Sequence, residues 1–270
     1  MKTRIISGVV MAAILAAILA VGFLWNTIVI AIVLALLAAA AIFELLHNAV
    51  GITDKFSLIG ACVYGFAVVM TLPLSKGIIS AGLIFVLAVS IIYELFAVLM
   101  ILRNHGEFDI AKIAAIYGLP LPFAFAFFCL GGIIMRDSGI YYLLLLLNFS
   151  SVCDMGAYFA GSFLGKHKLC PNISPKKTVE GALGGVLASL VVTLILALCF
   201  GKPLLNALLL TIPFCIIGMV GDLFASAIKR SVGLKDYSHL IPGHGGILDR
   251  VDSIIMIAPL MYFLVNTTVL

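Results

Sequence analysis

The chain has 270 residues, of which 64% are hydrophobic and only 10% are charged, with a formal net charge of +4. About a quarter of the residues in a typical soluble domain are charged, so this composition excludes an ordinary soluble protein. It also argues against nucleic acid as a partner, because the sequence contains no basic, aromatic-interleaved domain that could bind it.

Long apolar runs follow one another along almost the whole chain. A membrane-spanning helix needs about 20 such residues, and the runs lack the alternation expected of β-barrel strands. We therefore predict an all-α, polytopic integral membrane protein with about nine transmembrane helices. The predicted spans are 5–25, 27–47, 56–73, 78–102, 113–135, 140–163, 181–200, 204–228 and 253–269. Lys2 and Arg4 resemble the start of a signal peptide, but no small-residue cleavage site follows, which favours an uncleaved first span.

The cationic residues are distributed unevenly between the two sides of this predicted bundle. One side receives the N-terminus and the loops near 47–56, 103–112, 164–180 and 229–252. The other side receives only Lys76, Arg136 and Lys202 of the 16 Lys and Arg residues. Since cytoplasmic loops carry the excess of positive charge, the N-terminus and the polar loops are predicted to face the cytoplasm. The C-terminus is then predicted to lie outside a bacterial-type inner or cell membrane.

The ionisable groups divide the chain into two regions. Residues 1–139 carry few of them, and we interpret this region as a lipid-facing frame of transmembrane helices. Glu44 and Glu94 lie near predicted cytoplasmic helix ends, where solvation at the level of the lipid headgroups is the favoured interpretation. Residues 140–270 contain the polar loops 164–180 and 229–252, and we expect the functional residues to lie in this region.

Polar residues interrupt the sixth predicted span. Helical spacing places four residues on one face, namely Ser150, Asp154, Tyr158 and Gly161. A carboxylate inside a membrane is costly, which makes Asp154 a candidate functional residue. Two Gly-x-x-x-Gly pairs, at 161 and 165 and at 181 and 185, predict close contacts between helices.

A basic segment precedes the seventh predicted span. It contains Ser174, Lys176, Lys177 and Thr178. Free backbone N–H groups at a helix start favour phosphate, and the two lysines would add charge-assisted hydrogen bonds. A positive-inside anchor with a Ser or Thr helix cap would explain the same pattern, and the residues alone leave both interpretations open.

The eighth predicted span ends with a carboxylate below a basic rim. Asp222, Ser226 and either Lys229 or Arg230 share a helix face. Asp222 lies roughly 10 Å along the helix axis from Lys229, at about 1.5 Å per residue. This position suits a metal ligand that reaches up from a helix. The structural alternative is a buried ion pair between Asp222 and a lysine or arginine.

The loop after that span mixes charges of both signs with glycines. Its pattern is Ser226-x-Ile-Lys-Arg-x4-Lys-Asp236, followed by Pro242-Gly-His-Gly-Gly-Ile-Leu-Asp-Arg-Val-Asp252. This pattern resembles the signature of the phosphatidate cytidylyltransferases, also called CDP-diacylglycerol synthases. The segments 174–181 (SPKKTVEG) and Asp154-x-x-Ala-Tyr158 are similar to the same family. The resemblance covers residues 154–252, whereas residues before 140 match only as hydrophobic spans.

The resemblance implies a reaction in which CTP and phosphatidate give CDP-diacylglycerol and pyrophosphate, with Mg²⁺ and room for a second cation. Mg²⁺ prefers carboxylate and phosphate oxygens, so Asp222 and Asp249 are the predicted metal ligands, with Asp154 as a further candidate. The predicted catalytic residues are Asp222, Asp249, Lys229, Arg230, Arg250 and His244. The predicted substrate-binding residues are Ser174, Lys176, Lys177, Thr178, Ser226, Lys235, Gly245 and Gly246. The expected partners are CTP, phosphatidate and membrane lipids, with a homodimer as a further expectation.

His244 is the most conspicuous residue of the motif, but the reaction does not need it as a general base. The nucleophile is a phosphate monoester with a second pKa of about 6, so it is largely dianionic at neutral pH. His244 could donate a hydrogen bond, orient Asp249 or serve the structure alone. The glycines beside it, Gly245 and Gly246, would let backbone N–H groups approach an oxyanion closely.

Two other functions fit part of the pattern. A related CTP-dependent enzyme could act on another lipid phosphate or on a polyisoprenoid alcohol. An ion-coupled transporter could use Asp154 and Asp222 as coupling carboxylates. The transporter hypothesis predicts charged residues near the bilayer midplane and two pseudo-symmetric halves of the chain. In this sequence the charged residues instead lie at one predicted rim and in one half of the chain.

Overall fold

The computed structural model describes residues 27–74, 79–104 and 108–267, together with a few isolated positions before residue 27. The chain folds as two compact units. The first contains residues 1–132 and 234–250, and the second contains residues 133–233 and 251–270. The polar loop 234–250 is therefore part of the unit formed by the N-terminal helices.

The first unit is helical throughout its described membrane segments. Its elements are α1 (Ile28–Phe43), a π-helical turn (Glu44–Ala49), α2 (Lys55–Leu74), α3 (Ile79–Arg103), α4 (Ile110–Gly118) and most of α5 (Pro120–Ile134). The second unit contains α6 (Gly139–Leu147), a second π-helical turn (Asn148–Val152), α7 (Cys153–Leu164), a hairpin of β1 (Lys168–Cys170) and β2 (Ser174–Thr178), α8 (Val179–Phe200), α9 (Leu204–Ser231) and most of α10 (Leu248–Asn266).

In the described part of the chain, 7 helical segments are long and apolar enough to cross a membrane. They are Ile28–Ala49, Lys55–Leu74, Ala81–Arg103, Ile110–Ile134, Gly139–Leu164, Val179–Phe200 and Leu204–Ser231. Each overlaps one of the predicted spans, so the prediction of an all-α polytopic membrane protein is confirmed. The predicted span 253–269 corresponds to α10, whereas the predicted first span, 5–25, lies largely outside the described residues. The total of about nine helices stays a prediction.

Small residues bring α1 and α2 of the first unit together. Ala31, Ala35 and Ala38 on α1 are fully buried. A Cβ atom built on Gly65 of α2 would lie 2.5 Å from Cδ1 of Ile42, so a larger residue there would require the end of the Ile42 side chain to move. Helices in lipid associate mainly through such close van der Waals contact, because lipid tails are as apolar as the side chains they replace.

Asp54 caps the start of α2. Its Oδ2 accepts hydrogen bonds from the backbone N–H of Ser57 (2.8 Å) and from the Ser57 hydroxyl (2.7 Å). Arg103, at the end of α3, lies 3.6 Å from Asp54 Oδ1 and 4.4 Å above the ring of Phe56. Burial acts to raise the pKa of Asp54, but the hydrogen bonds from Ser57 and the charge of Arg103 outweigh it and lower the pKa. The loop between α1 and α2 is thereby tied to α3.

Glycines bring α7 and α8 of the second unit together, as the two Gly-x-x-x-Gly pairs predict. A Cβ atom built on Gly161 would lie 3.5 Å from the Cα of Gly181. One built on Gly185 would lie 2.4 Å from the carbonyl oxygen of Cys153. The packing interpretation of these glycines is confirmed, and the close contact fixes α7 beside the start of α8.

The π-helical turn before α7 changes the predicted face of this span. Ser150 is buried and donates a hydrogen bond to the carbonyl of Leu146 (3.0 Å), whereas Asp154 and Tyr158 are exposed. The prediction that all of them share one face is therefore wrong for Ser150. A π-helical turn inserts an extra residue into the helical repeat, so α-helical spacing does not carry across it.

The contact at Gly185 gives a testable prediction. Gly185→Ala should lower the thermal unfolding midpoint of the detergent-solubilised protein, with a destabilisation of about 1–3 kcal/mol, because the added methyl group overpacks the α7–α8 contact. Gly118→Ala is the matched control, since a Cβ atom at Gly118 would meet nothing within 4 Å. Equal midpoints for the two variants would contradict the close packing of α7 on α8.

Candidate functional site

The basic segment before α8 forms a β-hairpin, although the sequence analysis treats 164–180 as a loop. β1 and β2 pair antiparallel, with Lys168 opposite Thr178. Along β2, Lys176 is exposed, Lys177 is half-buried and Thr178 is buried. Oγ1 of Thr178 accepts a hydrogen bond from the backbone N–H of Gly181 (3.1 Å), which satisfies one of the free donors of α8. The helix-cap interpretation is thus confirmed for Thr178, and the hairpin gives each lysine a defined direction.

Lys177 forms an ion pair with Asp222 of α9. The Nζ atom of Lys177 contacts Oδ2 of Asp222, and each side chain is 24% exposed. The other oxygen of Asp222 accepts a hydrogen bond from the hydroxyl of Ser226 (3.4 Å), one helical turn further along α9. The ion-pair alternative for Asp222 is therefore observed, with Lys177 as its partner and with Ser226 on the predicted face.

A cavity of about 190 Å³ surrounds this ion pair. It is lined by Asp154, Ala157, Tyr158, Leu169, Lys176, Lys177, Thr178, Ala182, Met219 and Asp222. Two carboxylates and two ammonium groups thus share one cavity with walls of apolar and aromatic side chains. This mixture suits a ligand that carries both anionic groups and an apolar or aromatic part.

The other predicted residues of the second unit have different environments. Ser174 lies in β2 and is half-buried, but it does not line the cavity. Lys229 is 7% exposed, whereas the neighbouring Arg230 is exposed. Asp252 accepts a hydrogen bond from the backbone N–H of Ser253 (2.7 Å). Lys229 and Arg230 therefore differ in exposure, although the sequence predicts that both belong to one basic rim.

The loop 234–250 of the first unit encloses a cavity of about 440 Å³. It is lined by Lys235, Asp236, His239, Ile241, Pro242, Gly243, His244, Gly245 and Arg250. The loop turns at Gly243 (φ 77°) and Gly245 (φ 83°), a backbone conformation that residues other than glycine rarely adopt. The predicted phosphate-binding residues Lys235 and Arg250, together with His244, are brought to this one cavity.

Asp249 does not line this cavity and instead holds the loop backbone. It is 7% exposed, and its Oδ2 accepts hydrogen bonds from the backbone N–H groups of Tyr237 (2.8 Å) and Gly246 (2.9 Å). One oxygen of this predicted metal ligand is therefore engaged by the loop itself. The N–H of Gly246, for which the sequence suggests an oxyanion, is directed at this carboxylate.

The prediction that Glu44 is solvated at the level of the headgroups is wrong. Glu44 is only 4% exposed. Its carboxylate accepts hydrogen bonds from the loop 234–250: Oε1 from the hydroxyl of Ser238 (2.6 Å) and the N–H of Ile247 (3.0 Å), and Oε2 from the N–H of Leu248 (2.9 Å). The sequence contains a signal for this role, since a carboxylate at the end of an apolar helix is costly unless it is hydrogen-bonded, as is also the case for Asp154.

Comparison with known sequences identifies the family of the chain. The family model described as "Cytidylyltransferase family" matches residues 2–268. The chain belongs to the cytidylyltransferase family. The family that the motif at 226–252 predicts is thereby confirmed.

Several curated proteins of this kind are similar to the chain. The phosphatidate cytidylyltransferase of Bacillus subtilis (strain 168) is 35% identical over 276 residues, which cover 98% of this cytidylyltransferase and 97% of the relative. The protein of the same name from Staphylococcus saprophyticus is 44% identical over 131 residues, or 48% of this chain and 50% of the relative. That from Staphylococcus aureus (strain COL) is 43% identical over 132 residues. The chain thus spans about half the length of the two staphylococcal relatives that it matches.

The cavity of the second unit has a donor set that fits a Mg²⁺ ion held together with a substrate. In the described part of the cytidylyltransferase, no group of three or more His, Cys, Asp or Glu side chains could hold a metal ion. Mg²⁺ is commonly bound by one or two carboxylates together with substrate phosphates and water. Asp222 and Asp154 line the same cavity and supply that number of carboxylates. The cavity therefore fits a metal that arrives with a phosphate ligand.

The ion pair gives a second testable prediction. Lys177→Met and Asp222→Asn should each lower the free energy of unfolding, because each single variant leaves one charged partner without the other. The double variant should be destabilised by about 1 kcal/mol less than the sum of the two single effects. The measurement is a double-mutant cycle of thermal unfolding in detergent without CTP or Mg²⁺. Strictly additive effects would show that the pair contributes no coupling energy.

Proposed function

We propose that this cytidylyltransferase transfers the cytidylyl group of CTP to phosphatidate, which gives CDP-diacylglycerol and pyrophosphate. The observation that carries the proposal is the cavity where Lys176, Lys177 and Asp222 meet, in a polytopic membrane protein of this family. The names of the relatives support phosphatidate as the acceptor. The relative from Bacillus subtilis does so over nearly its whole length.

The reaction is a displacement at phosphorus. An oxygen of the phosphatidate phosphate attacks the α-phosphorus of CTP, a new P–O bond forms, and the bond to the bridging oxygen of pyrophosphate breaks. Because the nucleophile is already largely dianionic at neutral pH, no side chain has to remove a proton. The barrier arises mainly from charge on crowded phosphates, so positioned cations carry most of the catalysis.

The side chains then have separate tasks. In the second unit, Asp222 would hold Mg²⁺, with Asp154 as a further ligand, and the bound metal would neutralise charge on the triphosphate. Asp249 of the first unit is proposed separately as a metal ligand. Lys177 has two possible anionic partners, the carboxylate of Asp222 and a phosphate oxygen. Lys176 is exposed, and we assign it to phosphate binding. Lys229 and Arg230 in the second unit, and Lys235 and Arg250 in the first unit, are each proposed to bind phosphate oxygens.

The orientation of the protein is part of the proposal. The excess of Lys and Arg in the N-terminus and in the loops 164–180 and 229–252 supports a cytoplasmic location for them. CTP would then reach the site from the cytoplasm and phosphatidate from the membrane. We also propose a second copy of the chain as a partner.

Product analysis tests the proposed function directly. Purified protein in mixed micelles should convert CTP and phosphatidate into CDP-diacylglycerol and pyrophosphate in equal amounts, and EDTA should stop the reaction. Diacylglycerol, dolichol-type alcohols and other lipid phosphates are the comparison acceptors. Faster turnover with any of these acceptors would show that phosphatidate is not the preferred substrate.

Asp222→Asn tests the proposed metal ligand. The change removes one charge at constant shape, and we expect kcat to fall by about 100-fold or more, as for the loss of a group that stabilises transition-state charge. Asp137→Asn, at an exposed position of the same unit, is the control and should keep normal activity. A rate within a few-fold of the parent would remove Asp222 from the metal site.

Lys176→Ala combined with Lys177→Ala tests the proposed phosphate contacts. Two charge-assisted hydrogen bonds would be lost, each of about 1.5–3 kcal/mol, so the KM for CTP should rise by at least 10-fold. Lys168→Ala is the matched control, because Lys168 is an exposed lysine of the same hairpin that does not line the cavity. An unchanged KM for CTP in the double variant would restore the interpretation of this segment as a positive-inside anchor.

A further inference from the structure

One π-helical turn of the N-terminal helices binds both ends of the loop 234–250. Asn48 donates a hydrogen bond from Nδ2 to the carbonyl of Tyr237 (2.8 Å), near the start of the loop. Glu44 accepts from the Ser238 hydroxyl at that end and from the N–H groups of Ile247 and Leu248 at the other end. Glu44 and Asn48 lie four residues apart on the turn Glu44–Ala49. Such turns are frequent at functional sites, because the inserted residue redirects the side chains near it.

The Glu44 carboxylate is compensated by hydrogen-bond donors of the loop. It is buried, and none of the ion pairs in the described residues involves it. A buried charge is costly unless donors surround it, and Glu44 receives three. Two of these are N–H groups at the start of α10, where the helix dipole also favours an anion. The carboxylate and the loop backbone therefore depend on each other.

Gly246 has no side chain, and the carboxylate of Glu44 occupies the space that a side chain there would fill. A Cβ atom built on Gly246 would lie 2.4 Å from Oε2 and 2.7 Å from Oε1 of Glu44. The sequence predicts that Gly246 lets the backbone approach an oxyanion of the substrate. In the structure, Gly246 lets the backbone approach the carboxylate of Glu44 instead. The N–H of Gly246 donates to Asp249, so the two carboxylates together take the N–H groups of three successive residues, 246 to 248.

We propose that Glu44 is a positioning residue for the reaction: it fixes the backbone at 246–248 and thereby the direction of the Asp249 and Arg250 side chains that follow. Glu44 touches no substrate in this arrangement and acts through the loop. The inference rests on the proposed function for its kinetic consequence, but the contact with the loop is independent of the identity of the substrate.

Glu44→Gln separates positioning from general stability. The glutamine keeps one acceptor oxygen but turns an NH₂ group towards an N–H group of the loop, so local order should be lost. We expect kcat with CTP and phosphatidate to fall by about 100-fold, the order expected for a misplacement of about 1 Å, with less than a 3-fold change in the KM for phosphatidate. Glu94→Gln is the matched control, since it makes the same change at a half-buried glutamate of α3 in the same unit.

Hydrogen exchange of the substrate-free protein provides a readout that does not involve catalysis. The amides of residues 246–248 should exchange at least 10-fold faster in Glu44→Gln than in the parent, while the amides of α2 stay protected. If the loop exchanges faster and the parent protein uses a different acceptor lipid, the positioning role stands and the proposed substrate fails. Unchanged exchange at 246–248 would overturn the positioning role, whatever the activity.

Gly246 provides a sharper second test. Gly246→Ala should lower kcat in the parent, because its methyl group collides with Glu44. In a Glu44→Ala background that collision is gone, so adding Gly246→Ala should cost less than 3-fold more. An equal loss in both backgrounds would show that Gly246 serves a substrate oxyanion and would overturn the inference. If Glu44→Ala does not fold, the same cycle is run with Ser238→Ala, which removes one of the three donors, and independent effects of Ser238→Ala and Gly246→Ala would count against the proposal.

Discussion

A buried carboxylate must be hydrogen-bonded, and this requirement organises the polar loop of the first unit. Glu44 lies at the end of an apolar helix and is only 4% exposed, so its carboxylate depends on the hydrogen-bond donors of the loop. The loop in turn has free N–H groups at the start of α10 that need acceptors. Glu44 and Asp249 meet that need from opposite ends of the sequence. A segment rich in glycine thereby gains a defined conformation.

In the second unit, the structure depends on the association of α7 with α8. Its helices α7 and α8 have no hydrophobic driving force to associate in lipid, so they rely on the glycines that let their backbones meet. That contact places the hairpin carrying Lys177 where it can reach Asp222 on α9. The ion pair balances two charges that would each be costly alone in an apolar surrounding. A substrate phosphate and a cation offer the same two residues another way to be balanced.

The features predicted from the sequence are those that depend on local pattern. Apolar run length predicts the spans, and the spacing at 161, 165, 181 and 185 predicts the contact of α7 with α8. The motif at 226–252 predicts the family. The π-helical turns were not predictable in this way, because one inserted residue leaves composition unchanged yet moves Ser150 to another face. The role of Glu44 was missed because its partners at Ile247 and Leu248 lie 203 and 204 residues along the chain.

The use of backbone donors by the protein's own carboxylates limits how the loop can bind phosphate. In a glycine-rich phosphate loop, successive N–H groups point at the ligand. Here the N–H groups of residues 246 to 248 donate to Asp249 and Glu44. These backbone donors are therefore already engaged by the protein's own carboxylates, whereas the side chains of Lys235 and Arg250 line the cavity of this loop. A phosphate at this cavity would therefore meet side-chain cations rather than the backbone donors of residues 246 to 248.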